Sequence, residues 1–62
     1  MKVEQLAKGL TVRHPHASNV DVRFERKATR PDGSVEVSGY YANDPRTQVG
    51  FVVPAGTDLT LR

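Results

Sequence analysis

The sequence predicts an α+β domain: a short N-terminal helix packed on a four-stranded antiparallel β-meander. Apolar residues recur at Val3, Leu6, Ala7 and Leu10, the spacing that gathers them on one helical face. From Val20 the period falls to two, with Val20, Val22 and Phe24 alternating with Asp21, Arg23 and Glu25. Nine valines and no isoleucine among 62 residues add weight to strands. The alternative is an all-β small sheet or barrel in which residues 9–13 form an extra strand.

No repeat, low-complexity tract or linker divides the chain, so residues 1–62 read as one small domain. Its parts are a helix over 1–10, a loop over 11–19 and a meander over 20–62. A chain of this length buries only about 60% of the surface its unfolded form exposes. Without cysteine it gains neither a disulfide nor a thiolate zinc site. The longest apolar run is Phe51-Val52-Val53, and no signal-peptide core follows Met1. That predicts a soluble, cytoplasmic protein without a membrane partner.

The helix has Glu4 near its start, where the macrodipole favours an anion, and Gly9 as its stop. Two turns do not hold alone in water, so the stripe must dock on the sheet. The first strand follows from Val20. Arg30-Pro31-Asp32-Gly33 is turn chemistry, and a second strand carries Val35, Val37 and Tyr41. Asn43-Asp44-Pro45-Arg46 forms the next turn, and Val49, Phe51 and Val53 line the third strand. Pro54-Ala55-Gly56 then leads into a last strand with Leu59 and Leu61.

Parity tests the register, because a slip of one residue reverses every side chain. A three-residue Pro-Asp-Gly loop with a Gly bulge pairs Arg30 with Ser34, and sets Thr29 against Val35 and Lys27 against Val37. A four-residue loop pairs Thr29 with Ser34, Val22 with Tyr41 and Lys27 with Glu36. The second is preferred, because it keeps apolar residues opposite apolar ones. In the last hairpin a three-residue loop pairs Val53 with Thr57, Phe51 with Leu59 and Val49 with Leu61. The predicted core is Val3, Leu6, Leu10, Val20, Val22, Phe24, Val35, Val37, Tyr41, Val49, Phe51, Val53, Leu59 and Leu61. The final strand has only Arg62 to discourage pairing, which predicts a homodimer through that edge.

Nine Lys and Arg stand against seven Asp and Glu, a formal +2. The distribution is uneven: residues 13–30 hold five cations and two anions, while 31–62 hold two cations and four anions. A basic middle can steer an anionic partner.

The most unusual string is Arg13-His14-Pro15-His16. Two imidazoles at i and i+2 of an extended segment point the same way and could hold two positions of a divalent metal, with Asp21 or Asp44 adding a carboxylate. A loop with two ordinary histidines is the preferred reading, with no metal and no cofactor. Acid–base catalysis needs groups with separated pKa values in a dry cleft. Glu25, Glu36 and Asp58 fall on the wet face, and no nucleophile elbow surrounds a serine. The chain therefore reads as non-enzymatic.

The outward sheet face is the remaining candidate. Arg23, Lys27, Tyr40, Val52 and Arg62 are expected to project from it, and Arg13, Arg26 and Arg30 extend its basic border. Tyr, Val and Arg are what protein interfaces favour. The expected function is a small binding or regulatory protein that docks on another macromolecule, a protein in the preferred reading, using Arg13, Arg23, Arg26, Lys27, Arg30, Tyr40, Val52 and Arg62. One aromatic among cations also suits nucleic acid, the first alternative, although no RNA-binding signature is present. A homo-oligomeric structural subunit is the second alternative.

Overall fold

The structure, a computed structural model, describes Met1–Arg62. Strands β1 (Thr11–Arg13), β2 (Asp21–Thr29), β3 (Val35–Tyr41) and β4 (Asp44–Val53) form one antiparallel sheet in the order β1-β2-β3-β4. The protein is thus mainly β, as in the all-β alternative. The meander is there, but with different strands from those the pattern suggested.

The expected helix over 1–10 is replaced by a single 3-10 turn at Val3–Gln5. Two isolated turns nucleate poorly, and the N-terminal backbone finds partners elsewhere. Val3 N–H donates to the Thr57 carbonyl at 2.9 Å, and Leu59 N–H to the Met1 carbonyl at 2.7 Å. Val3 and Leu6 are still buried, so the apolar spacing identified core residues and misassigned the backbone that delivers them. Gly9, at φ +96°, turns the chain into β1. There Val12 pairs with Val22 and is fully buried, inside a segment expected to be loop.

The β2–β3 hairpin uses the three-residue loop. Arg30 N–H donates to the Ser34 carbonyl at 2.8 Å, and Gly33 takes φ +89°. The Asp32 carboxylate accepts the Ser34 hydroxyl and N–H at 2.6 and 2.9 Å, which holds its pKa below the ordinary value. The resulting pairs are Thr29 with Val35 and Lys27 with Val37, so the preferred four-residue loop is corrected. Yet Val22 still faces Tyr41. Both registers hold because β2 carries a bulge between Phe24 and Arg26, where Glu25 is the extra residue. A bulge reverses the parity of everything beyond it and bends the strand.

Opposite that bend lies Gly39, paired with Phe24. A Cβ there would run into the Arg23 carbonyl. Only glycine lets the two backbones come so close.

The β3–β4 turn comes earlier than expected, at Ala42-Asn43, with Tyr41 facing Asp44. Tyr40 then faces Gln48, which leaves residues 45–47 outside the ladder. The Asp44 carboxylate stabilises this detour by accepting the Thr47 hydroxyl at 2.6 Å. Pro45 is tolerated because it sits in an irregularity of an edge strand.

The last hairpin does not form. The Glu4 carboxylate takes the Gly56 N–H through both oxygens, at 3.1 and 2.8 Å, beside the turn after β4. The tail then crosses to the opposite edge of the sheet. Arg13 N–H donates to the Thr60 carbonyl at 2.9 Å and Arg62 N–H to the Thr11 carbonyl at 2.8 Å. Val12 and Leu61 form an isolated bridge. The tail therefore covers the free edge of β1 and is not the open edge strand expected for dimerisation.

The core consists of Val3, Leu6, Val12, Val22, Phe24, Val35, Val37, Phe51, Val53 and Leu59. Of the other predicted members, Leu10, Val20, Tyr41 and Val49 are half-buried and Leu61 is 51% exposed. No helix is long and apolar enough to cross a membrane.

Candidate functional site

The parity reversal at Glu25 decides which side chains share the outer face. Before the bulge Arg23 points out; after it Arg26 and Ala28 point out, while Lys27 lies on the same side as buried Val37. Arg23, Tyr40 and Gln48 form one row across β2, β3 and β4, and Arg26, Ser38 and Gly50 form the next. A third row holds Ala28, Glu36 and Val52. Gly50 has no side chain, and a shallow depression of about 270 Å³ opens around it, walled by Glu25, Arg26, Ser38, Tyr40 and Gln48.

Charges on this face are unequally satisfied. Lys8 pairs with Glu25 at 3.1 Å and Arg30 with Glu36 at 2.8 Å. Arg23 and Arg26 have no acidic partner within ion-pair distance. Exposed pairs contribute about 0–1 kcal/mol each, so their role here is to cancel charge locally. What remains free is two guanidinium groups on the face of a half-buried Tyr40.

The structure brings together four of the eight candidate residues, namely Arg23, Arg26, Tyr40 and Val52, and separates the rest. Arg13 and Arg62 converge on one oxygen of Asp21, at 2.7 and 3.5 Å. Arg30 is held by Glu36 at the hairpin tip. Lys27 is the clear correction: its ammonium donates to the Leu6 carbonyl at 3.0 Å and lies 5.4 Å from the Phe24 ring centre. Its stem packs along the core edge, as long cationic side chains do. The expected Lys27–Glu36 pair is absent for the same reason. The parts of Glu25 and Gln48 in this face escaped the sequence pattern. The clue to Glu25 was the conflict between two registers, each supported by part of the hairpin.

His14 and His16 each turn one ring nitrogen to the backbone. His16 N–H donates to His14 Nδ1 at 3.1 Å, and His16 Nε2 bonds the Val52 carbonyl at 3.2 Å. The ring centroids are 5.8 Å apart, with His14 5.0 Å from the Phe51 ring centroid. Two of the four ring nitrogens are thus engaged by backbone groups, and no cluster of three or more His, Asp or Glu lies together anywhere. Burial and the neighbouring His16 lower the His14 pKa from its ordinary 6.5, against a raising contribution from the Gly50 backbone.

A second hollow, between the start of β2 and the β3–β4 turn, includes Asp21 and Asp44. Their carboxylates are occupied by Arg13 and Arg62, and by Thr47. The outer face is therefore the surface with uncommitted chemistry. No family model matches the chain, and no curated protein or solved structure is significantly similar to it.

Proposed function

We propose that the protein is a small, non-enzymatic binding module of the cytoplasm that docks another protein, with regulatory effect, on the outer face of β2–β4. One observation carries this reading: the bulge at Glu25 turns Arg26 outward onto the face of Arg23, so that Arg23 stands opposite Tyr40 and Arg26 lines the Gly50 depression, both without an acidic partner. Bulges recur where a strand must re-aim a side chain for binding. Tyr and Arg are the residues most often found at the energetic centre of protein interfaces.

The mixed charge of the face favours a protein over a nucleic acid. Glu25 and Glu36 lie among the arginines, and a phosphate backbone crossing the sheet would have to pass them. A binding role is favoured over catalysis because the depression is shallow, and acid–base chemistry needs groups held in a dry cleft.

Affinity capture from the native host tests the reading with the wild type, Tyr40→Ala, Arg23→Glu/Arg26→Glu and Lys27→Gln. Recovery of the partner should fall about tenfold or more for the first two variants, the loss expected of interface centres. Lys27→Gln should recover it as the wild type does. Equal recovery by all four would remove the outer face as the contact. Oligonucleotide binding that weakens steeply with salt would favour the nucleic-acid alternative. Self-association as the only interaction would favour a homo-oligomeric subunit.

A further inference from the structure

β4 has one strand partner, so the other side of residues 50–52 is a sheet edge. Such an edge offers unpaired backbone groups unless something covers it. Here the cover is the segment that follows β1. His16 Nε2 reaches the Val52 carbonyl at 3.2 Å, and the His14 ring packs on Phe51 at 5.0 Å between centroids. What holds the two histidines to each other is the His16 N–H bond to His14 Nδ1, at 3.1 Å.

We propose that the segment from His14 to His16 is an acid-released cover of the β4 edge. The His14 Nδ1 atom accepts a hydrogen bond only while it carries no proton. A proton on Nδ1 makes it a donor facing the His16 N–H donor, and the bond that folds the segment over the edge is lost. Protonated rings at 5.8 Å then repel each other if His16 is also charged. The Gly50 backbone favours the protonated His14 ring, but it is outweighed by burial and by His16. β4 presents Gly50, Phe51 and Val52, none of them titratable, and the adjacent Arg13 is engaged by Asp21 at 2.7 Å. The charged group that acts on His14 is His16.

The sign of the pH dependence follows from the direction of the shift. The folded state holds His14 neutral more firmly than the unfolded chain, whose value is 6.5. The contribution is fully present above that pH and is lost as pH falls through the lower, folded value. Release therefore belongs to mildly acidic conditions.

A pH titration of the whole chain by NMR, from about 7.5 to about 5, tests this. The His16 amide should lose hydrogen-exchange protection with the midpoint of the His14 ring titration, below 6.5, and the Gly50–Val52 amides should shift with it. His14→Asn supplies the control, because an Asn carboxamide oxygen accepts the N–H two residues on and does not titrate. In that variant the His16 amide should keep its protection over the same range. The proposal is overturned if His14 titrates in the wild type while the His16 amide keeps its protection. It is equally overturned if a folded His14→Asn variant opens with the wild-type midpoint. The wild-type titration decides by itself should that variant fail to fold.

Discussion

Replacing Gly39 by alanine is expected to remove a large part of the chain's stability. The added methyl would stand inside the Arg23 carbonyl, with Val22 Cγ1 at 3.3 Å on its other side. The first obstacle is backbone, which cannot rotate away as a side-chain end can. Relief would need β2 and β3 to separate where the Glu25 bulge already interrupts the ladder. Overpacking typically costs about 1–3 kcal/mol and occasionally more, and a backbone obstacle puts Gly39→Ala at the upper end. A domain of this size has only about 3–9 kcal/mol of stability to lose. Gly33→Ala is the comparison, since its Cβ would meet nothing within 4 Å and its cost is that of φ +89° alone, about 1 kcal/mol. Urea unfolding followed by circular dichroism should show a modest shift for Gly33→Ala and a much larger loss for Gly39→Ala. Equal shifts would mean that β2 and β3 do not approach so closely.

The second large effect separates two leucines that sequence pattern treats alike. Leu59 is 4% exposed in the core and Leu61 is 51% exposed. Leu59→Ala should cost about 2–5 kcal/mol, the range for a buried leucine whose cavity does not collapse. Leu61→Ala should stay within about 0.5 kcal/mol, as surface substitutions do. A hairpin that paired Phe51 with Leu59 and Val49 with Leu61 would instead bury both. The difference in urea midpoint between the two variants therefore reports where the tail lies. Similar losses would place the tail back on β4.

Short-range patterns carried much of this fold. Alternation located the strand cores of β2, β3 and β4, and turn chemistry located the Pro31-Asp32-Gly33 loop. What escaped was whatever depended on partners distant in the chain. Val3 and Leu6 have helical spacing, but the Thr57 carbonyl and the Met1–Leu59 pairing fix their backbone, and neither is visible from the first ten letters. Leu59 and Leu61 alternate as in a strand, yet their partner is the N-terminal segment and β1. The candidate face was legible for Arg23, Tyr40 and Val52, which lie on the expected side of their strands. It failed at Lys27, because one extra residue at Glu25 exchanged its side with that of Arg26. Hairpin chemistry and hydrophobic alternation each demanded a different parity there, and both were right locally.

Cross-strand proton NOEs between β2 and β3 measure that exchange most directly. The bulged strand predicts contacts of Lys27 with Val37 and of Thr29 with Val35, together with Val22 to Tyr41, and the Lys27 side chain close to Leu6 and Phe24. Contacts of Lys27 with Glu36 and of Thr29 with Ser34, continuous with Val22 to Tyr41, would mean an unbroken ladder. Arg26 would then face inward, and the pair of free guanidiniums on the face of Tyr40 would not exist.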